Sequence, residues 1–278
     1  MTCASTKIPP LLEPYLDLPP EHSLVLVTSV LGASANWLVL RWLYSLLRGR
    51  SNVGDGTDTA VVLCSFLRDG AFWREGCGKM ALDLERVRES KRFAFVDGLT
   101  GLCMPEAQDG PDGGGRLDKE DYVLGGSAAG DVRDGLERAI ADVSSPGAGG
   151  GRRDVVLVLD QMDAWLAMGD AGVVEVMNLL VGLREKVHAT VMTVSADDPL
   201  LHAQTTTLER EHAAFSLSLA HEARCVMALR LLDTGTARDV SGVVRMTGGG
   251  KGAGGEGDAE YLYHVSGDGG VRVFERGA

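Results

Sequence analysis

Short runs of almost continuous apolar residues recur along the chain, separated by longer segments with helical spacing. Such runs are typical of strands buried on both faces of a sheet. The five runs are 24–30, 59–65, 93–97, 155–159 and 189–195. Alternation of buried strands with helices predicts a parallel sheet that carries helices on both faces. The pattern therefore indicates an α/β fold.

The segments between the runs predict four helices. Residues 34–48 are apolar except on one stripe that contains Arg41, Ser45 and Arg48, which indicates a mostly buried helix. The other predicted helices are 69–89, 131–143 and 173–186. After about residue 220 the pattern changes to short strands with tight connections, which we expect to add antiparallel strands to one edge of the sheet. These four strands are 224–232, 241–246, 260–265 and 270–274.

The length of 278 residues allows one large domain or two small ones. We predict an irregular Pro-rich lead at 1–22 and a single domain at 23–278. Gly-rich stretches predict flexible insertions in that domain, at about 101–131, 144–152 and 248–258. The first is poor in apolar residues, so we expect it to be dispensable for folding.

The net charge of −12 argues against diffuse binding to nucleic acid, because phosphate contacts are made by Lys and Arg. Five cysteines without a CxxC pair indicate a reduced intracellular protein. The N-terminal residues do not form a signal-peptide pattern. The most apolar window, Trp37–Leu47, is shorter than the ~20 residues that a membrane span needs. We therefore expect a cytoplasmic or nuclear protein with no membrane partner.

The turn after the first predicted strand lies where a phosphate-binding P-loop would be found. A P-loop needs a second glycine, a lysine and a hydroxyl, since these groups wrap the phosphates and hold magnesium. If the motif began at Gly32, those positions would be Trp37, Leu38 and Val39. No lysine occurs from residue 8 to 78. We predict that this turn does not bind nucleotide phosphate in the usual way.

Other candidate motifs are weak. Asp160 ends the fourth strand in a Walker B-like pattern, but without a phosphate lysine we expect Asp160 and Asp163 to cap the next turn or to face a neighbouring chain. The GxGxxG match at 250–255 lies between short strands, so chance explains it best. His212 and His221 are expected on a helix surface. No catalytic, cofactor-binding or metal-binding residue is predicted.

Two polar features remain as candidate nucleic-acid contacts. The segment 197–211 follows the fifth strand at the carboxyl edge of the sheet, where binding loops lie. Its candidate residues are His202, Gln204, Thr205, Thr206, Thr207 and Arg210. An equally open interpretation is that Thr207 caps a helix and Arg210 is simply solvated. The basic cluster at 86–92 is better explained by the favourable charge of cations at a helix C-terminus.

Four segments in this order resemble the Elongator complex protein 6 family. They are VLCSFLRDGAFW (62–73), RFAFVDGLTGL (92–102), VVLVLDQMDAWLA (155–167) and SLSLAHEARCVMALRLLDTGTARDVSGVVRMTGG (216–249). The resemblance implies a RecA-like fold without the usual Walker residues. It also implies assembly with Elongator complex proteins 4 and 5 into a six-membered ring that contains two copies of each. That ring joins the larger Elongator assembly, binds tRNA, and supports modification of its wobble uridine.

The resulting hypothesis is a non-catalytic, RecA-like structural subunit of the Elongator accessory ring, which supports tRNA binding. Two alternatives stay open. One is an active RecA-type ATPase with a degenerate phosphate loop, in which Arg41 or Arg48 replaces the lysine, although both lie far along the helix. The other is a stand-alone α/β protein-binding module. For the leading hypothesis of a ring subunit, the strand at 224–232 is a candidate partner surface, because interfaces favour arginine and apolar anchors.

Overall fold

Ten strands form one sheet in the computed structural model, which describes residues 7–48, 58–103, 121–145, 153–168, 171–232, 237–248 and 258–276. The strands are β1 (Ser23–Ser29), β2 (Asp58–Ser65), β3 (Phe93–Asp97), β4 (Tyr122–Val123), β5 (Arg153–Asp160), β6 (Ala189–Ser195), β7 (Cys225–Arg230), β8 (Gly242–Gly248), β9 (Ala259–Val265) and β10 (Val271–Phe274). The helices are α1 (Glu13–Leu16), α2 (Asn36–Leu47), α3 (Gly70–Lys79), α4 (Leu84–Glu89), α5 (Gly98–Cys103), α6 (Ala129–Ser144), α7 (Met162–Ala167), α8 (Val173–Arg184) and α9 (Thr207–Glu222).

The strand order across the sheet is β10-β9-β8-β7-β1-β6-β5-β2-β3-β4. Strands β1 to β7 pair in parallel, and β8, β9 and β10 add antiparallel strands at one edge. The predicted α/β class and the antiparallel edge are confirmed. The prediction for 224–232 is wrong in one respect, because β7 is parallel to β1. The reason is that α9 carries the chain back across the sheet before β7 begins.

Each central strand contributes side chains to two hydrophobic cores, one on either face of the sheet. Along β1, Val25 and Val27 enter the core beneath α1 to α4, whereas Leu24 and Leu26 enter the core beneath α6 to α9. This double burial explains why the strands appear in the sequence as unbroken apolar runs. The predicted placement of helices on both faces is confirmed.

The predicted irregular lead is ordered from residue 7 onward. A 3₁₀ turn at Pro10–Leu12 leads into α1, and both elements have a proline in their first turn, where no backbone donor is needed. Leu12 and Leu16 are fully buried in the same core as α2. The described part of the lead, from residue 7 onward, therefore belongs to the domain core.

The first predicted insertion, 101–131, is narrower than expected. Its residues 104–120 lie outside the described part of the chain, but both flanks are built into the fold. At one flank Gly101 lies buried within α5, and at the other β4 pairs with β3 and Leu124 is fully buried. Any Cβ at Gly101 would lie 2.2 Å from the Leu124 carbonyl oxygen, so only glycine fits there. Most of the insertions predicted at 144–152 and 248–258 lies outside the described residues.

The helix predicted at 69–89 is two helices, α3 and α4. The chain leaves α3 through Ala81, which has a left-handed φ of 57°, and Asp83 then caps α4 by accepting the N–H groups of Glu85 and Arg86. The apolar window at 37–47 lies in α2 and packs into the domain core. Across the described residues, no helix is both long enough and apolar enough to cross a lipid bilayer.

The buried flank of the first insertion gives a direct test. We expect Leu124→Ala to lower the free energy of unfolding by about 2–4 kcal/mol, because it empties a fully buried site between α5 and α6. The matched control is Leu217→Ala on the exposed face of α9, which should change stability by no more than about 0.5 kcal/mol. Urea unfolding followed by circular dichroism measures both. Equal effects of the two substitutions would mean that 121–131 does not pack on the domain.

Candidate functional site

The carboxyl ends of β1, β2, β5 and β6 lie side by side, since these strands are parallel and adjacent in the sheet. Ser29, Ser65, Asp160 and Ser195 are their last residues. In open parallel sheets ligands bind at this edge. The candidate site therefore comprises the turn after β1, the polar residues at the strand ends and the segment after β6.

The turn between β1 and α2 is short and closed on itself. The Ala33 N–H donates to the Val30 carbonyl at 2.8 Å, and Gly32 adopts a φ of 90° that a side chain would disfavour. The Asn36 N–H at the start of α2 donates to the Ser34 hydroxyl at 3.2 Å. Two backbone donors of this segment, those of Ala33 and Asn36, are thus bound to groups within the turn.

Another backbone N–H of this turn donates a hydrogen bond to a carboxylate of the same chain. The Leu31 N–H donates to Asp197 Oδ1 at 2.8 Å. Asp197 belongs to the loop that follows β6, next to β1 in the sheet. Its negative charge opposes any phosphate brought to the same N–H. Sequence analysis missed this contact, and the one available signal was an acidic residue directly after a strand predicted to be central.

Asp160 is fully buried, and each of its oxygens accepts a hydrogen bond. The Ser65 hydroxyl donates to Oδ2 at 2.8 Å, and the Thr193 hydroxyl donates to Oδ1 at 2.9 Å. Burial raises the pKa of Asp160, and these two hydrogen bonds oppose that rise only in part. The expectation that Asp160 caps a turn or faces a neighbouring chain is wrong, because its carboxyl group lies inside the domain.

The hydrogen-bond network continues from Asp160 to α9. Gln161 has a left-handed φ of 57° and accepts from the Ser195 hydroxyl at 3.0 Å. The carbonyl oxygen of Ser195 accepts from His212 Nε2 at 2.8 Å, and its N–H donates to Asp163 at 3.2 Å. His212 is therefore buried, which corrects its predicted surface position, and Asp163 is also an internal residue. His221 is exposed as predicted.

The three threonines of the predicted nucleic-acid segment organise the start of α9. Thr206 caps the helix, since its hydroxyl accepts the Glu209 N–H at 3.2 Å. Glu209 in turn accepts from the Thr205 hydroxyl at 2.6 Å and from both threonine N–H groups. These bonds, the Thr205 hydroxyl first, lower the pKa of Glu209 to about 2. The predicted cap, Thr207, is one residue too late and is the first residue of α9.

The remaining predicted residues lie on the same exposed segment. The His202 ring lies 2.8 Å from the Asp198 carboxylate. Gln204 has a φ of 46° and donates to a carbonyl of the preceding π-helical turn, Pro199–Ala203. Arg210 is exposed and lies 3.5 Å from the Thr207 hydroxyl. The structure therefore brings all six predicted residues together on one surface.

That surface is acidic rather than basic. Four carboxylates accompany Arg210 within 197–211, at Asp197, Asp198, Glu209 and Glu211. Arg210 is the one fixed positive charge among the six candidate residues that can form an ion pair with phosphate.

The basic cluster at 86–92 is largely occupied by contacts within the chain. Arg92 donates to the backbone carbonyls of Leu46, Leu47 and Thr59. Lys91 Nζ lies 3.0 Å from Asp142 Oδ1, and Arg88 pairs with Glu85. Arg86 and Arg88 lie in the last turn of α4, as the prediction of cations at a helix C-terminus requires. Lys91 and Arg92 are held by other segments of the domain.

The remaining sequence motifs add no further site. The GxGxxG match at 250–255 lies outside the described residues. Within the described segments, no three His, Cys, Asp or Glu side chains converge as metal ligands.

A solved structure has a similar architecture. A KaiC-like protein of the hyperthermophilic archaeon Pyrococcus horikoshii OT3 superposes with a TM-score of 0.59 over 98% of each chain, at 14% sequence identity. The fold is RecA-like. At this identity the likeness concerns the fold alone. No protein-family model matches the sequence, and no curated protein sequence matches it.

The buried carboxyl group of Asp160 makes stability depend on pH. A raised pKa in the folded state means that folding favours the protonated carboxyl group. The contribution of this group to the free energy of unfolding is therefore full below the ordinary aspartate pKa, and it is lost as the pH rises through the raised value. Asp160→Asn has no charge to bury, but it keeps only one of the two acceptor oxygens. We therefore expect its stability relative to the wild type to be higher at neutral pH than near pH 4, where the wild-type carboxyl group is protonated. Urea unfolding at both pH values measures it.

The control for this experiment is Asp160→Ala. It leaves the buried Ser65 and Thr193 hydroxyls without their acceptor, and it should cost about 1–3 kcal/mol at both pH values. A stability difference between Asp160→Asn and the wild type that is the same at both pH values would contradict a raised pKa of Asp160.

Proposed function

We propose that the chain is a non-catalytic, RecA-like structural subunit of the Elongator accessory ring, where it supports tRNA binding and wobble-uridine modification. The resemblance of four ordered segments to the Elongator complex protein 6 family supports the assignment. The RecA-like fold agrees with it. The observation that carries the non-catalytic role is the Asp197 carboxylate on the Leu31 N–H.

The electrostatics of the turn favour this proposal over an active ATPase. A nucleotide phosphate would meet a carboxylate 2.8 Å from the donor that it needs, with no lysine nearby in the sequence to offset the repulsion. The arginines considered as substitutes are engaged elsewhere. Arg41 donates to the Gly269 carbonyl at 2.7 Å, and Arg48 lies at the far end of α2, 4.0 Å from Glu13.

Exposed leucines at the carboxyl edge support a role within an assembly. Leu31 is 87% exposed, and Leu67 and Leu231 are partly exposed at neighbouring strand ends. Leu231 contacts the same turn, since it lies 3.4 Å from the Cβ position of Gly32. Within the predicted partner surface at 224–232, we propose Leu231 as the contact, because the backbone of β7 already pairs with β1 and β8.

Assembly and nucleotide binding are tested together. We expect co-expression with Elongator complex proteins 4 and 5 to give a six-membered ring, seen as a single mass by light scattering. The isolated chain should show no saturable binding of magnesium–ATP in calorimetry and no ATP turnover, because the turn presents a carboxylate. A micromolar ATP site in the isolated chain would favour the ATPase alternative. An inert monomer that ignores both partners would favour the stand-alone module.

The matched variants for assembly are Leu31→Glu and Val174→Glu. Both residues are highly exposed, so neither substitution should unfold the chain. We expect Leu31→Glu to reduce incorporation into the ring and Val174→Glu, on α8, to leave it unchanged. Equal incorporation of both variants would exclude the leucine edge as an interface, although ring formation itself would still support the Elongator proposal.

Binding of tRNA is tested at Arg210, the one fixed positive charge among the six candidate residues. In the assembled ring, Arg210→Ala should weaken tRNA binding and reduce the salt slope by about one unit or less. The control is Arg245→Ala, an exposed arginine on β8. Threonine substitutions are unsuitable, because loss of the Thr206 cap alone costs about 1 kcal/mol. If Arg210→Ala leaves the affinity for tRNA and the salt slope unchanged, the tRNA contacts lie on the other subunits.

A further inference from the structure

A pocket of about 350 Å³ opens between α2, α3 and the turn that joins β9 to β10. Apart from Arg41, it contains none of the residues considered above for nucleotide or tRNA contact. Its apolar wall consists of Leu40, Phe72 and Met80, and its cations are Lys7, Arg41 and Lys79. This volume falls within the range of small-molecule sites.

Arg41 is the unusual residue of this pocket, because it is 3% exposed and forms no ion pair with any described carboxylate. Its Nη2 donates to the Gly269 carbonyl at 2.7 Å, and its Nη1 makes a long 3.5 Å contact with the Trp37 carbonyl. Its Nε is buried without a hydrogen-bond partner among the described residues. Burial lowers the pKa of Arg41 to about 10. A buried cation with an unused donor is costly unless an anion completes it.

The charges around Arg41 leave a positive excess. Lys79 pairs with Glu75 at 2.9 Å, and Asp268 is held by the Gly270 N–H at 2.9 Å. Lys7 lies over the Tyr44 ring, 5.3 Å from its centroid. Three cations therefore face two carboxylates in the pocket, and the most deeply buried cation, Arg41, has no acidic partner among the described residues.

We propose that this pocket binds a small organic anion, whose phosphate or carboxylate group pairs with the Arg41 guanidinium while its apolar part packs on Leu40, Phe72 and Met80. The planar guanidinium suits the oxygens of both groups. Lys7 and Lys79 stand at the rim, where they attract the same charge. Binding would also fix the β9–β10 turn, since Arg41 holds the carbonyl of Gly269.

Calorimetry with the full chain tests the pocket, using inorganic pyrophosphate and citrate as separate probes at constant ionic strength. At least one probe should bind saturably at one site, and the probe that binds distinguishes phosphate from carboxylate recognition. We expect Arg41→Gln to weaken that binding about tenfold or more, because it removes a buried charged donor. Binding of neither probe to the wild type would overturn the proposal.

Surface variants keep the test decisive if Arg41→Gln fails to fold. Lys7→Gln and Lys79→Gln alter only the rim, and each should weaken binding severalfold. The matched control is Lys186→Gln, which removes an exposed lysine paired with Glu137 far from the pocket. It should bind like the wild type. Equal binding by the rim variants and the control would overturn the proposal.

Discussion

The buried carboxyl group of Asp160 joins the ends of three neighbouring strands, and the arrangement of the carboxyl edge depends on it. Its hydrogen bonds tie β5 to Ser65 of β2 and to Thr193 of β6. Gln161 and Ser195 extend the network to His212 of α9. The loop after β6 is thereby held beside β1. Asp197 of this loop accepts the Leu31 N–H in the turn between β1 and α2. An aspartate at the end of this strand binds magnesium in many ATPases. In this protein Asp160 accepts hydrogen bonds that connect β5 with β2 and β6.

The sequence was sufficient to predict the central sheet because strands buried on both faces leave long apolar runs. The predictions failed where one contact between distant segments decides the outcome. Nothing in the local pattern distinguishes Leu12 in the lead, or Leu124 beside the first insertion, from leucines of exposed loops. Both are buried because another element covers them. The direction of β7 likewise depends on the crossover through α9 rather than on the composition of the strand.

At the candidate site, too, features with a local sequence signal could be predicted, and features that depend on contacts between distant residues could not. The missing P-loop chemistry could be inferred from Trp37 and Leu38 alone, whereas the Asp197 contact joins residues 166 positions apart and has no local signal. The cap at Thr206 was missed by one position because three consecutive threonines offer equivalent hydroxyls. Only the geometry of Glu209 shows which of them begins the helix. The sequence pattern predicts Arg41 only as one polar position on a mostly buried helix. That Arg41 has no carboxylate partner among the described residues is visible only in the folded structure.

The central position of β1 has a consequence for biosynthesis. Val25 pairs with Val191 of β6 on one side and with Cys225 of β7 on the other. Neither neighbour exists until most of the chain has been translated, so both edges of this apolar strand stay open on the ribosome for most of synthesis. Open strand edges invite pairing with other chains. The nascent protein must therefore shield its earliest strand the longest, and newly made chains are most vulnerable to aggregation before β7 emerges.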